Sequence, residues 1–220
     1  MKKFLVFLCS SILIFGLVGT ASAYSYIDDD SNPGSERDLY QIFEDLYGID
    51  YGSSDALFDD RGTAAGVWYE TDGHVDITVR YAGYDQELGF EDSDGYHTVL
   101  SGIPSGTQET DAEVDTNGNF IWVEKLSGSE SEVGPWYSEV SRNVDGKVHF
   151  YAFDVADLFE DTNNVWLIAF EDLEGLGDAD YNDLVAEVKE VAPIPEPSTM
   201  LLFISGLIGL AGFRKNFRKI

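Results

Sequence analysis

The chain has 220 residues, 44% hydrophobic and 14% aromatic, which is enough to fill one core, and no internal repeat divides it. Six of its 13 basic residues, Lys2, Lys3, Arg214, Lys215, Arg218 and Lys219, sit at the two ends, so the body between them sets seven basic residues against 41 acids, a formal charge of −34 (7 − 41). A body of that sign excludes nucleic-acid and anionic-lipid binding, which need clustered Lys and Arg, and points to cations as partners, although for most of the carboxylates the charge serves only solubility.

Met1-Lys2-Lys3, the apolar run 4–18 and Ala21-Ser22-Ala23 have the charged, apolar and small-residue parts of a secretory signal peptide. Residues 1–23 are therefore expected to enter the Sec translocon, with cleavage after Ala23; the apolar run is shorter than the ~20 residues of a spanning helix. The only cysteine, Cys9, lies in this run, so the exported body has no disulfide, thiolate zinc site or cysteine nucleophile. Residues 24–63 read as a polar lead-in followed by a short helix. Ser35-x-x-Asp38 opens it, Leu39, Ile42, Phe43 and Leu46 recur at helical spacing, and Gly48 closes it. Its apolar stripe is expected to cover one end of a β-core.

Residues 64–192 change to period two. Residues 67–71 and 74–81 flank Asp72-Gly73, which predicts a hairpin with Val75, Ile77, Val79 and Tyr81 on the core face. A second hairpin is predicted around Asn117-Gly118, leading into Phe120 and Trp122. Asp145-Gly146 turns into the run 148–153, residues 165–170 are apolar throughout as in a central strand, and 184–191 alternate. The expectation is an all-β fold, an antiparallel β-sandwich of jelly-roll type with a short N-terminal helix, plus one C-terminal hydrophobic helix.

That last helix belongs to residues 193–220. Three spaced prolines, with Pro195-Glu196-Pro197 at their centre, deny the linker helix and sheet hydrogen bonds. An apolar run, 200–213, and the basic cluster Arg214, Lys215, Arg218 and Lys219 follow. A signal peptide sends the body outward while the basic cluster stays cytoplasmic, so the run stops transfer. It falls below the usual ~17–25 residues, which suits a transient inner-membrane anchor. Pro195-Glu196-Pro197, the apolar segment and the basic end, in that order, resemble the PEP-CTERM sorting signal of Gram-negative bacteria. The resemblance implies processing by an exosortase-like membrane protease and a destination at the cell surface or in the extracellular matrix, where an extracellular polysaccharide is the expected neighbour.

One loop stands out chemically. Glu171, Asp172, Glu174, Asp178, Asp180 and Asp183 fall within it with no Lys or Arg among them. Oxygen donors at Asp178, Asp180 and Asn182 suit Ca²⁺, and Gly175 and Gly177 free the backbone to fold back on an ion. The spacing is not an EF-hand: counted from Asp178, the sixth position is Asp183 rather than Gly and the twelfth Lys189 rather than Glu. A solvated acidic turn that caps neighbouring amides remains the alternative. Phe170-Glu171-Asp172-Leu173 with Gly177-Asp178-x-Asp180-Tyr181-Asn182-Asp183 resembles the domain-of-unknown-function family 4114. Tyr81-Ala82-Gly83-Tyr84-Asp85-Gln86-x-x-Gly89-Phe90 and Asn143-x-Asp145-Gly146 share that likeness, which spans 68–191. It implies a β-rich, Ca²⁺-binding, non-catalytic module; the loop's own oxygen chemistry makes Asp178, Asp180, Asn182 and Asp183, together with Glu171 or Asp172, the expected ligands.

No catalytic scaffold emerges. His74, His97 and His149 are scattered without a His-Glu-x-x-His pattern, residues 102–106 lack the spacing of a nucleophile elbow, and there is no phosphate loop. The protein is expected not to be an enzyme. Trp68, Trp122, Trp136 and Trp166 could offer sugar-stacking platforms, so a Ca²⁺-dependent carbohydrate-binding or adhesin module is the alternative to a structural role.

Overall fold

Strand alternation and one amphipathic helix combine into three layers in the computed structural model, which describes residues 37–81, 84–126, 134–159 and 164–195. The signal-peptide residues Ala21 and Ala23, the sorting residues Glu196, Pro197, Arg214, Lys215, Arg218 and Lys219, and the expected C-terminal helix lie outside them. Among the described residues no helix is long and apolar enough to cross a membrane.

The middle layer is a six-stranded antiparallel sheet. In chain order its strands are β1 (Gly62–Thr63), β2 (Trp68–Arg80), β5 (Gly106–Val114), β8 (Phe150–Asp154), β9 (Val165–Phe170) and β10 (Leu184–Pro193), arranged β1-β8-β9-β10-β2-β5. A four-stranded antiparallel sheet lies on one face, with β3 (Gln86–Asp92), β4 (Gly95–Ser101), β6 (Ile121–Leu126) and β7 (Trp136–Tyr137) in the order β4-β3-β6-β7. Helices α1 (Leu39–Tyr47) and α2 (Ser54–Arg61) cover the other face.

The continuous apolar run of β9 follows from this layering. Ile168 and Phe170 join Trp68, Trp122 and Phe150 in the core between the sheets, while Val165, Leu167 and Ala169 join Leu39, Phe43, Leu57 and Phe58 in the core under the helices. A strand covered on both faces has no side that needs to be polar. The helices cover the part of that face formed by β8, β9 and β10, while β5 at the sheet edge stays largely exposed. Helix α1 keeps the expected apolar spacing and ends at Gly48, φ +71°, but its N-cap is Asp38 rather than Ser35, and the Gln41 side chain accepts from the Asp38 amide at 3.2 Å. Helix α2 had no such signal. Its sequence, Ser-Asp-Ala-Leu-Phe-Asp-Asp-Arg, carries only Leu57 and Phe58 into the core, and the Ser53 hydroxyl caps it by accepting from the Ala56 amide at 3.3 Å.

Both predicted hairpins are corrected. Asp72-Gly73 does not turn: β2 runs straight through it for 13 residues, paired with β5 and β10. Gly73 serves close packing, since a Cβ there would lie 2.9 Å from Val191 Cγ1 and 3.2 Å from Val114 Cβ. Asn117-Gly118 does turn, with Gly118 at φ +93°, but it carries the chain from β5 in one sheet to β6 in the other. The tight hairpin is β3–β4, closed by Ser93-Asp94, where the Asp94 amide donates to Asp92 Oδ1 at 2.8 Å.

Candidate metal centre

The chain leaves β9 at Phe170 and enters β10 at Leu184, and everything between is the acidic loop. Its backbone coils tightly: Gly175, Leu176, Gly177, Ala179 and Tyr181 all have positive φ. Gly177 is required by contact as well as by angle, because a Cβ would meet Leu173 Cδ1 at 2.8 Å and Glu171 Oε1 at 2.9 Å. The loop thus folds back onto the Glu171 carboxylate.

Several ties hold this conformation. The Lys147 ammonium donates to the Gly175 carbonyl at 2.6 Å, the Tyr181 hydroxyl to the Val148 carbonyl at 2.6 Å, and Asn182 Nδ2 to the Arg37 carbonyl at 2.9 Å and to Asp180 Oδ2 at 2.6 Å. Asp145 receives the Gly175 amide at 2.9 Å and the Lys147 amide at 2.9 Å. Burial pushes the Asp145 carboxyl up, but hydrogen bonds from His149 and those two amides outweigh it and hold it down at about 2. His149 is fully buried, stacked on Trp136 at 3.7 Å, with Nδ1 2.7 Å from the Glu171 carbonyl and Nε2 3.0 Å from Asp145 Oδ2. Trp136 Nε1 donates to the Asp172 carbonyl at 2.6 Å. The backbone of Glu171 and Asp172 is therefore clamped from the side of β7 and β8.

The six residues singled out by sequence come together. Carboxylate oxygens of Glu171, Asp178 and Asp180 lie within 4.8 Å of one another, and so do those of Glu171, Asp172 and Asp183. Asn182 sits beside Asp180, and its buried Oδ1 has no donor. Both Glu171 oxygens are buried without a donor as well. Burial, then the charges of Asp183, Asp180, Asp178 and Asp172, push the Glu171 carboxyl up to about 10. Burial and the Asp172 charge likewise raise Asp183 well above the usual carboxylate range, although the Asp172 amide donates to it at 2.9 Å.

Two residues of the other sheet reach the same cluster and were not among the sequence candidates. Glu124 on β6 is fully buried with neither oxygen partnered, and burial, then the charges of Asp172, Asp183 and Glu171, raise its carboxyl well above the ordinary value. Gln86 on β3 is fully buried, donates Nε2–H to Asp172 Oδ2 at 2.9 Å, and leaves Oε1 without a donor. The available signal was parity: Glu124 alternates with the inward Trp122 and Leu126, and Gln86 with Leu88 and Phe90.

The donor set fits a hard divalent cation. Ligands at 2.3–2.6 Å on opposite sides of Ca²⁺ are roughly 4.6–5.2 Å apart, a limit that the atoms of each trio, all within 4.8 Å of one another, do not exceed, and every donor is oxygen, which suits Ca²⁺ better than Zn²⁺. A solvated turn accounts for Asp180, whose Oδ1 accepts the Asn182 amide at 3.3 Å, but not for Glu171 or Glu124, which are away from water and without donors.

Residues 104–190 match the family model described as a domain of unknown function (DUF4114), and residues 193–216 match the PEP-CTERM protein-sorting motif. The chain carries a DUF4114 domain followed by a PEP-CTERM sorting signal. The DUF4114 match holds Glu124, Asp145, His149 and the whole acidic loop; the resembling stretch 81–90 precedes it. No curated protein matches the chain. The sorting motif implies export, processing by an exosortase, a membrane protease, and a cell-surface or extracellular destination.

The tryptophans are placed for packing. Trp68, Trp122 and Trp136 are fully buried and Trp166 packs against the inter-sheet core, which leaves the carbohydrate-binding alternative without the aromatic platform it was expected to use.

Proposed function

We propose that this DUF4114 protein is a calcium-stabilised, non-catalytic structural module of the Gram-negative envelope or exopolysaccharide matrix, released there from a transient inner-membrane anchor. The observation that carries the calcium part is Glu171, a fully buried carboxylate with no donor on either oxygen, encircled by four further acids of its own loop. Ca²⁺ supplies the charge that this arrangement lacks, and extracellular modules of this kind bind it at ~10⁻⁴–10⁻³ M. Isothermal titration of the chelator-stripped protein with Ca²⁺ should give an affinity in that range, weakened at least tenfold by Asp180→Ala; heats no different from a buffer blank overturn the calcium assignment.

The anchoring part rests on the order of Pro195-Glu196-Pro197, the short apolar run and the basic end. Wild-type protein is expected to lose residues 200–220 and leave the inner membrane. Glu196→Ala, or Gln at Arg214, Lys215, Arg218 and Lys219, should leave a longer species behind. Pulse-labelling with membrane fractionation reads this directly, and a wild-type protein that keeps its tail in the inner membrane makes the segment a plain anchor.

A further inference from the structure

The acidic residues fall into two trios that share Glu171. Glu171, Asp178 and Asp180 meet on the side of the loop where Asp178 is exposed, whereas Glu171, Asp172 and Asp183 meet where Glu171 and Asp172 are shut off from solvent. Each trio is close enough to share one cation, and Glu171 alone belongs to both, with two donor-free oxygens to divide between them.

The inner trio has company from the opposite sheet. Glu124 lies on the inward face of β6, directly across from Leu88 on one neighbouring strand and from Trp136 on the other, and Trp136 holds the Asp172 carbonyl. Both Glu124 oxygens are buried and unpartnered, and the charges they feel are those of Asp172, Asp183 and Glu171. Gln86, already bonded to Asp172 Oδ2, keeps a second buried oxygen free of any donor. Glu171, Asp172 and Asp183 thus meet with Gln86 bonded to Asp172, and Glu124 lies buried on the facing sheet within the influence of their charges. An apolar interior holds that many carboxyls only when protons or a cation neutralise them.

We propose that Glu171, Asp172 and Asp183, joined by Glu124 and the Gln86 amide oxygen, form a second divalent-cation site between the sheets, adjoining the loop site through Glu171. The ion in it fastens the four-stranded sheet to the acidic loop of the six-stranded sheet, so metal and β-sandwich are one structural unit. Ca²⁺ as the ion rests on the calcium reading of the loop, but the geometry of the inner site stands apart from Asp178 and Asp180.

The test is stoichiometry by native mass spectrometry and calorimetry on the purified full chain, stripped with chelator and titrated with Ca²⁺. Two ions per chain are expected. Glu124→Gln, which keeps the shape and removes the charge, should weaken one of them at least tenfold and spare the other; Asp178→Asn should do the reverse. Tb³⁺ bound to the wild-type chain gives a reading that needs no substitution: emission lifetimes in H₂O and D₂O should separate an ion with almost no bound water from a hydrated one. One ion, lost in Asp178→Asn and indifferent to Glu124→Gln, overturns the inner site and leaves the loop site standing. One ion with the opposite response supports the inner site and overturns the loop site. No bound ion, or a single hydrated Tb³⁺ class, overturns the inner site.

Discussion

Calcium-free protein is expected to unfold at a lower temperature than calcium-saturated protein, with a gap that widens as pH rises. Binding to the folded state alone, at an ion concentration of about a hundred times Kd, adds about 2.7 kcal/mol for one site. A protein of this size shifts its Tm by roughly 2–4 °C per kcal/mol, so the gap is roughly 5–11 °C. The pH dependence follows from the carboxyls. Without the ion, burial and the neighbouring acids hold Glu171 at about 10 and keep Asp183 and Glu124 well above the usual range. The folded chain then retains protons that the unfolded chain gives up near pH 4, and its stability drops as pH climbs from there toward about 10. Ca²⁺ replaces those protons, so in saturating ion the drop disappears. Calorimetric scans in Ca²⁺ and in EDTA, repeated at about pH 5 and about pH 8, measure both effects. Superimposable scans at the higher pH would remove calcium from the account of this fold.

Phe153→Ala is expected to cost about 3–5 kcal/mol, a fall in Tm of roughly 6–20 °C. Phe153 is fully buried on the helix-covered face of β8, its ring 5.0 Å from that of Phe58 on α2 and nearly perpendicular to it. Truncation empties the place where α2 meets the sheet, beside Tyr151 and Leu167. Val144→Ala is the control: Val144 is 80% exposed, and its loss should stay within about 0.5 kcal/mol. Thermal unfolding followed by near-ultraviolet circular dichroism separates the two variants. Equal melting temperatures would mean that the helices contribute nothing to the stability of the sheet they cover.

Legibility in the sequence followed distance along the chain. The acidic loop could be read because its donors lie between Glu171 and Asp183 with no basic residue to neutralise them, and α1 because Leu39, Ile42 and Phe43 repeat at helical spacing before Gly48. Helix α2 could not, since its two buried side chains, Leu57 and Phe58, are adjacent and mark no period. Asp72-Gly73 misled for a different reason. The same glycine that permits a turn also permits a strand to approach Val191 and Val114 closely, and a local pattern does not distinguish the two.

The sequence by itself determined the sorting signal, the antiparallel β character and the cluster of acidic oxygen donors, because each is written in contiguous residues whose chemistry needs no partner from elsewhere. Only the tertiary structure decided that the central strands of the six-stranded sheet are buried on both faces, under helices on one side and a second sheet on the other. It alone brought Glu124 and Gln86 to Asp172, 48 and 86 residues away in the chain. Strand periodicity tells which side chains share a face; which sheet that face meets is settled by the packing of layers, and there a carboxyl that reads as one acid among 41 becomes a buried group with no hydrogen-bond partner.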